Sequence, residues 1–314
     1  MNLPLENSYR SCAALVRRAA SSFYWSLWCL PEQKRRGLHA LYAFCRHTDD
    51  LGDSPLPATD RQAALYVWRQ QLVTHLQTAE VASQAVLPHS ADDATGLLPA
   101  LVDTVVRHQI PIRYLFEVID GVESDITPRV IQNFDELREY CRLVASSVGL
   151  ACLHVWGFEG EGVLAKATEC GVAFQLTNII RDIPEDAARG RIYLPQEDLD
   201  RFGYSDADLR AGVWNDAGRA LVKFQLERAA HSFAIGRQTR NYLAADAVDS
   251  FDVMFNTYQR LWRAIEKCDG EVFRRRVRLS WWDKVAITTQ WSWQRWRRRW
   301  LPSAASRRAR LQTP

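Results

Sequence analysis

No proline interrupts residues 196–301. Proline removes a helical N–H and clashes with the preceding turn, so a proline-free stretch of that length can run as long helices. Glycine is sparse as well, at 15 of 314 residues. Period-two alternation is weak, and neither strand–helix–strand signals nor a repeat of fixed period occurs. The expectation is an all-α chain with a single helical domain over 1–285 and a separate tail over 286–314. A hydrophobic content of 47% with 25% charged residues excludes global disorder.

Residues 11–53 read as two helices divided at Pro31, which suits a first helical turn. Further helices are expected over 60–79, 100–126, 134–158 and 163–182, with the end of the last perturbed by Pro184. Residues 80–99 and 188–203 read as connections, and two or three helices fill 205–300. The seven cysteines are odd in number and form no C-x-x-C pair. They suggest neither a disulfide framework nor a zinc site, and fit a reducing cytosol. The N-terminus lacks the apolar run of a secretory leader, and no apolar stretch is long enough to span a bilayer.

Two acidic strings carry the chemistry. The first runs Arg46-His-Thr-Asp49-Asp50-Leu-Gly-Asp53. Asp49 and Asp53 are four apart and project from one helix face. The second runs Gln175-Leu-Thr-Asn178-Ile-Ile-Arg181-Asp182-Ile-Pro-Glu185-Asp186. Gln175, Asn178, Asp182 and Asp186 form one polar stripe opposite Val172, Phe174, Ile179 and Ile180. Pro184 interrupts that stripe and makes Asp186 its least secure member. A single D-x-x-x-D pair is most often a solvated surface. Two pairs, each beside an arginine, are far harder to obtain by chance. Paired carboxylates suit Mg²⁺, a hard ion usually held by one or two carboxylates plus substrate phosphates. Arg46, Arg181 and Arg191 offer guanidinium forks that match phosphate geometry. The chemistry implied is ionisation of a diphosphate ester.

With these strings in place, the chain resembles the squalene/phytoene synthase family of trans-isoprenyl diphosphate synthases. The matching segments are Ser22-Phe23-Tyr24, LHALYAFCRHTDDLGD (38–53), YCRLVASSVG (140–149) and VAFQLTNIIRDIPEDAARGRIYLPQEDL (172–199). The match continues through Tyr258 to FRRRVRLS (273–280). The resemblance implies a single-domain isoprenoid-synthase-type bundle around a central apolar channel. It assigns metal binding to Asp49, Asp53, Asn178, Asp182 and Asp186. Diphosphate contacts fall to Ser22, Arg46, Arg181 and Arg191. Tyr42, Tyr140, Gln175, Tyr193 and Tyr258 would surround the reacting carbons, where aromatic faces stabilise positive charge. Ordinary packing with a satisfied hydroxyl is the blander account of any one of these tyrosines.

The implied reaction is Mg²⁺-dependent head-to-head condensation of two prenyl diphosphates, with Mn²⁺ as an alternative ion. The string AASSFYWSLWCLP (19–31) is most similar to presqualene diphosphate synthases of hopanoid pathways, which implies two farnesyl diphosphates. The alternative is phytoene synthesis from two geranylgeranyl diphosphates in carotenoid formation. NADPH would be needed only if the product is squalene. A one-substrate terpene cyclase and a membrane-associated scaffold on the same fold are further alternatives, and the two intact acidic strings oppose the scaffold. Phe23, Leu27, Leu41, Val144, Ala145, Val148 and Leu176 are candidate channel-lining residues.

The tail differs in composition from the body. From Arg274 onward twelve arginines and lysines face one acid, Asp283, so the chain's net +3 conceals an acidic body. Six of the twelve tryptophans fall between Trp281 and Trp300. Tryptophan favours the membrane–water interface and arginine clusters favour anionic lipid. The expectation is a peripheral enzyme on the inner face of the cytoplasmic membrane, with no nucleic-acid partner.

Overall fold

The computed structural model describes residues 3–19, 24–82, 95–274 and 276–278. Ser22, Phe23 and the 286–314 tail lie outside them. Thirteen α-helices are present among the described residues. They are α1 (Leu3–Ala19), α2 (Tyr24–Leu27), α3 (Glu32–Gly52), α4 (Ala58–Ala82), α5 (Leu98–Arg107), α6 (Arg113–Ser124) and α7 (Phe134–Cys141). There follow α8 (Ser147–Trp156), α9 (Val163–Ala188), α10 (Gln196–Phe202), α11 (Asp206–Arg210), α12 (Asp216–Gly236) and α13 (Val248–Lys267). A π-helical turn, Arg142–Ser146, joins α7 to α8, and a 3₁₀ segment, Arg237–Tyr242, follows α12. The described residues form no β-strand, only an isolated bridge between Phe158 and Leu243. The all-α expectation holds.

Local chemistry sets the boundaries. α3 begins directly after Pro31 and buries Leu38, Leu41 and Phe44 along one stripe. Asn133 caps α7 by accepting from the Glu136 amide at 3.0 Å, and Asn215 caps α12 by accepting from Gly218 at 2.9 Å. Ser205 and Asp208 form a capping box on α11. The helix expected over 100–126 is split into α5 and α6. Pro111 cannot supply a helical donor, and Gln109 turns the chain with φ of 51°.

α9 is the axis of the fold. It packs along α12 and also meets α7, α8, α13 and both irregular turns. Two large cores lie around it, one built on α3, α5, α6, α8 and α13, the other on α7, α10 and α12. Close approach is bought by glycine. A β-carbon on Gly171 would run into the Ser146 backbone, its nitrogen at 2.6 Å, and one on Gly236 would meet Cys170 Cα at 2.7 Å. The first contact wedges the π turn against the middle of α9.

Pro184 neither ends α9 nor separates its acids: the helix runs on to Ala188. Proline costs the helix the bond its N–H would have made to the Ile180 carbonyl and crowds that carbonyl, and the 26-residue α9, buried along much of its length, absorbs this local cost. Asp182 and Asp186 therefore share a face after all.

No helix among the described residues is long and apolar enough to cross a membrane.

Candidate active site

A cavity of about 320 Å³ opens between α3, α8, α9 and α13. Asp49 from the first acidic string lines it, as do Gln175 and Asn178 from the second. Tyr42 and Tyr258 line it too, and most of the remaining wall is apolar. Asp49, Gln175 and Asn178 stand toward the C-terminal ends of the lining stretches of α3 and α9. From Asp49 back to Leu38 on α3, or from Asn178 back to Ala167 on α9, the helical rise carries the wall about 16 Å inward. Of the expected lining residues, Leu27, Leu41, Val144, Ala145 and Val148 are in place. Leu176 is not: it is 1% exposed and packs in the core on the other side of α9. One residue along a helix turns the side chain by about 100°, which takes Leu176 off the stripe of Gln175.

The π turn explains how Val144 and Ala145 reach the cavity. Its extra residue re-aims the side chains where α7 would otherwise continue straight.

At the polar end two of the carboxylates, Asp49 and Asp186, are pushed toward neutrality, first by burial and then by a neighbouring acid. Burial and then the neighbouring Asp53 push Asp49 up to about 7, even though its side chain meets the open mouth of the cleft. Burial and then Asp182 push Asp186 to about 7 as well. Asp182 goes the other way. Burial alone would raise it, but Arg181 and Arg276 outweigh that and hold it below the ordinary carboxylate range. Arg181 Nε donates to Asp182 at 2.8 Å and Arg276 Nη2 at 2.7 Å. Arg276 also reaches Glu185 at 3.3 Å.

Arg191 bridges the two strings. Both of its Nη atoms lie 3.4 Å from Asp53, and Nη2 donates to the Asp125 carbonyl at 3.1 Å. Its own amide donates to the Asp186 carbonyl at 2.8 Å. Arg191 and Asp53, with Arg61, Asp125 and Arg189, line a second, more polar recess. Arg46 is turned elsewhere: it pairs with Asp50 at 2.6 Å on an exposed flank.

The tyrosines fall into two sets. Tyr258 stacks on Phe174 with ring centroids 4.1 Å apart, inside the cavity. Tyr140 and Tyr193 stack on each other at 4.8 Å, beside the mouth. The Tyr140 hydroxyl donates to Asp125 at 2.7 Å. Asp125 belongs to neither acidic string, yet it lies within electrostatic reach of both Asp49 and Asp186. Nothing in the sequence marks it, because only the fold brings the end of α6 to the mouth.

Among the described residues, no three His, Cys, Asp or Glu side chains are set to hold a metal ion by themselves. The donor set nonetheless fits a hard divalent cation. Asp49 and Asp186, driven toward neutrality by burial and then by a neighbouring acid, gain from a cation, and substrate oxygens complete the coordination of such ions.

The comparisons agree with this geometry. The model of the squalene/phytoene synthase family matches residues 16–283. The chain is 34% identical over 293 residues to a 15-cis-phytoene synthase of Synechococcus elongatus, covering 90% of this chain and 91% of that one. It is 33% identical over 279 residues to a phytoene synthase of Mycobacterium tuberculosis, covering 88% and 87%. A crystal structure of a dehydrosqualene synthase in complex with a ligand superposes with a TM-score of 0.78 at 26% identity, over 92% of this chain and 96% of that one. A squalene synthase from Alicyclobacillus acidocaldarius superposes with a TM-score of 0.74 at 25% identity, over 86% and 97%. This chain belongs to the squalene/phytoene synthase family, prenyltransferases that join prenyl diphosphates head to head.

Proposed function

We propose that the protein condenses two geranylgeranyl diphosphates to phytoene. The cavity supports a long apolar substrate with an anionic head, and the names of the curated relatives support the twenty-carbon chain over the farnesyl reading taken from AASSFYWSLWCLP. The squalene-type structural neighbours keep farnesyl diphosphate as a second substrate to test.

In this proposal the diphosphate lies at the mouth. Asp49, Asp53, Asn178, Asp182 and Asp186 supply the oxygen ligands of Mg²⁺, which when bound offsets the charge developing on the leaving diphosphate. Arg191 holds the phosphate oxygens by its guanidinium fork, while Arg181 would have to leave Asp182, and Arg46 would have to leave Asp50, to join it. Ionisation breaks the C1–O bond of one substrate and releases its diphosphate. The double bond of the second attacks the allylic cation and loss of a proton closes a cyclopropane, after which ionisation of the remaining diphosphate, rearrangement and loss of a second proton give phytoene. Tyr258, backed by Phe174, and Tyr42 present aromatic faces to that cation without a strong nucleophile. Gln175 and Asn178 fix the head against the wall. Tyr140 and Tyr193 keep Asp125 and Arg191 oriented at the rim. The apolar wall excludes water, which would quench the cation.

The single observation that carries this reading is that Asp49 and Asn178, one from each acidic string, line one apolar cavity. The test is incubation with Mg²⁺ and geranylgeranyl or farnesyl diphosphate, with and without NADPH, followed by mass analysis of the products. Phytoene is expected from the first. Presqualene diphosphate or squalene from the second, with no product from the first, would replace the reading by its alternative.

The same reading places the protein on an anionic membrane surface through the arginines and tryptophans of 286–314, at the cytoplasmic face. Co-sedimentation with vesicles rich in anionic lipid, lost on removal of 286–314, tests it.

A further inference from the structure

The π turn that carries Val144 and Ala145 into the cavity is gripped at both ends by one side chain from α6. Glu117 Oε1 accepts from Arg142 Nη1 at 2.8 Å, and its Oε2 accepts from the Ser147 hydroxyl at 2.6 Å. Arg142 is the first residue of the turn and Ser147 the first after it. The Ser147 amide donates to the Arg142 carbonyl five residues back, the hydrogen bond that makes this turn π rather than α. One carboxylate therefore spans the two residues which that bond joins. Glu117 is 19% exposed and Ser147 is fully buried, so water does little to loosen the grip.

α6 meets the same helical rod on either side of that grip. A β-carbon on Gly121 would come within 2.6 Å of Val144 Cγ1, and Asp125, just past α6, accepts from the Tyr140 hydroxyl at 2.7 Å. A π turn holds one residue more than the α-helix on each side of it. Slipping to α-helical register would rotate α7 against α8 by about 100°. Either Tyr140 would then leave Asp125, or Val144 and Ala145 would leave the cavity. We infer that Glu117 is a positioning residue for the condensation: through Arg142 and Ser147 it fixes the phase between the rim, at Tyr140 and Asp125, and the wall of Val144, Ala145 and Val148. The inference rests on the reading that the diphosphate lies at the rim and the prenyl chain in the cavity. With the phase fixed, C1 of one substrate stays against the double bond of the other. With the phase lost, substrate still binds, but the cation forms out of reach of its partner. Water then captures it, giving a prenyl alcohol and a proton.

The experiment compares wild type with Glu117→Gln, Glu117→Ala, Ser147→Ala and the Glu117→Ala Ser147→Ala double variant, given Mg²⁺ and geranylgeranyl or farnesyl diphosphate. Glutamine keeps the shape and one acceptor but loses the charge that holds Arg142. In Glu117→Ala, kcat for the condensed product is expected to fall about tenfold or more with little change in KM. Prenyl alcohol formed per condensed product rises, and Glu117→Gln falls between Glu117→Ala and wild type. The double variant is no worse than Glu117→Ala, because both changes break one contact. A mere loss of folded protein would lower all products together and leave their ratio alone. Hydrogen exchange over 140–148, which needs no substrate, speeds up in Glu117→Gln while α9 stays protected. Should alanine prevent folding, the glutamine variant carries both readouts. An unchanged ratio of alcohol to condensed product in the folded variants, or exchange over 140–148 as slow as in wild type, overturns the inference. If wild type turns over neither diphosphate, the proposed function fails, and exchange alone decides whether Glu117 holds the turn.

Discussion

Arg191 holds Asp53 at 3.4 Å through both Nη atoms, tying the loop after α9 to the end of α3 across the mouth of the cavity. Asp53 is exposed, so the pair contributes little to stability. Its consequence is placement: the guanidinium stays where a diphosphate would enter. Arg191→Ala is expected to lower kcat/KM by about a hundredfold with little change in melting temperature. Arg191→Lys recovers only part of this, because a point charge does not reproduce the fork. Steady-state kinetics with thermal melting check both.

Asp49 and Asp186 give the site a pH signature. Their folded pKa values are raised to about 7 from the ordinary 3.8. Between those values the unfolded chain has released protons that the folded one retains. Their contribution to stability is therefore full below about pH 4 and is lost as pH rises through 7. Without metal, the melting temperature is expected to fall between pH 5 and 8 in the share owed to these groups, and Asp49→Asn flattens the fall. Mg²⁺ affinity runs the opposite way, because protons compete with the metal: it rises with pH through about 7. Melting curves in chelator and in Mg²⁺ across this range separate the two trends.

Gly171→Ala would press a β-carbon into the Ser146 backbone. Neither α9 nor the π turn can yield cheaply there. The expected cost is about 1–3 kcal/mol in chemical denaturation. Activity should fall further than stability explains, since Val144 and Ala145 on that turn line the cavity.

Tyr258 lies flat on Phe174. If its aromatic face is what serves the cation, Tyr258→Phe retains most of the turnover and Tyr258→Ala loses about a hundredfold or more. Equal losses in both variants would instead assign the role to the hydroxyl. Product-formation rates at saturating substrate distinguish them.

The acidic strings were legible because i, i+4 spacing on an amphipathic helix fixes which side chains share a face. That is why Asp49, Gln175 and Asn178 arrive at one cavity as expected. Pro184 misled because its lost N–H and its clash with the carbonyl four residues back are a local cost, which the packing of α9 from Val163 to Ala187 outweighs. The π turn left no mark on the hydrophobic pattern, though Gly121 and Gly171, each close to it in space, were its available trace. Leu176 was misplaced by assigning a lining role from hydrophobicity rather than from angle. Asp125 could not be read at all, because its relation to Tyr140, Asp49 and Asp186 exists only once α6 packs beside α8. The arginine partners of Asp182 were half visible. Arg181 is its chain neighbour, but Arg276 comes from the far end of the domain.

The central claim is that the two acidic helices act together on one diphosphate, and its most direct measurement is diphosphate release. Wild-type protein with Mg²⁺ and geranylgeranyl diphosphate, or farnesyl diphosphate in parallel, is compared with Asp49→Asn and Asp182→Asn. The account predicts release by the wild type, its loss in chelator, and a decrease of about a thousandfold or more in each variant although the strings lie more than a hundred residues apart. Release undiminished in either variant, or none from either prenyl diphosphate with the folded wild type, would contradict it.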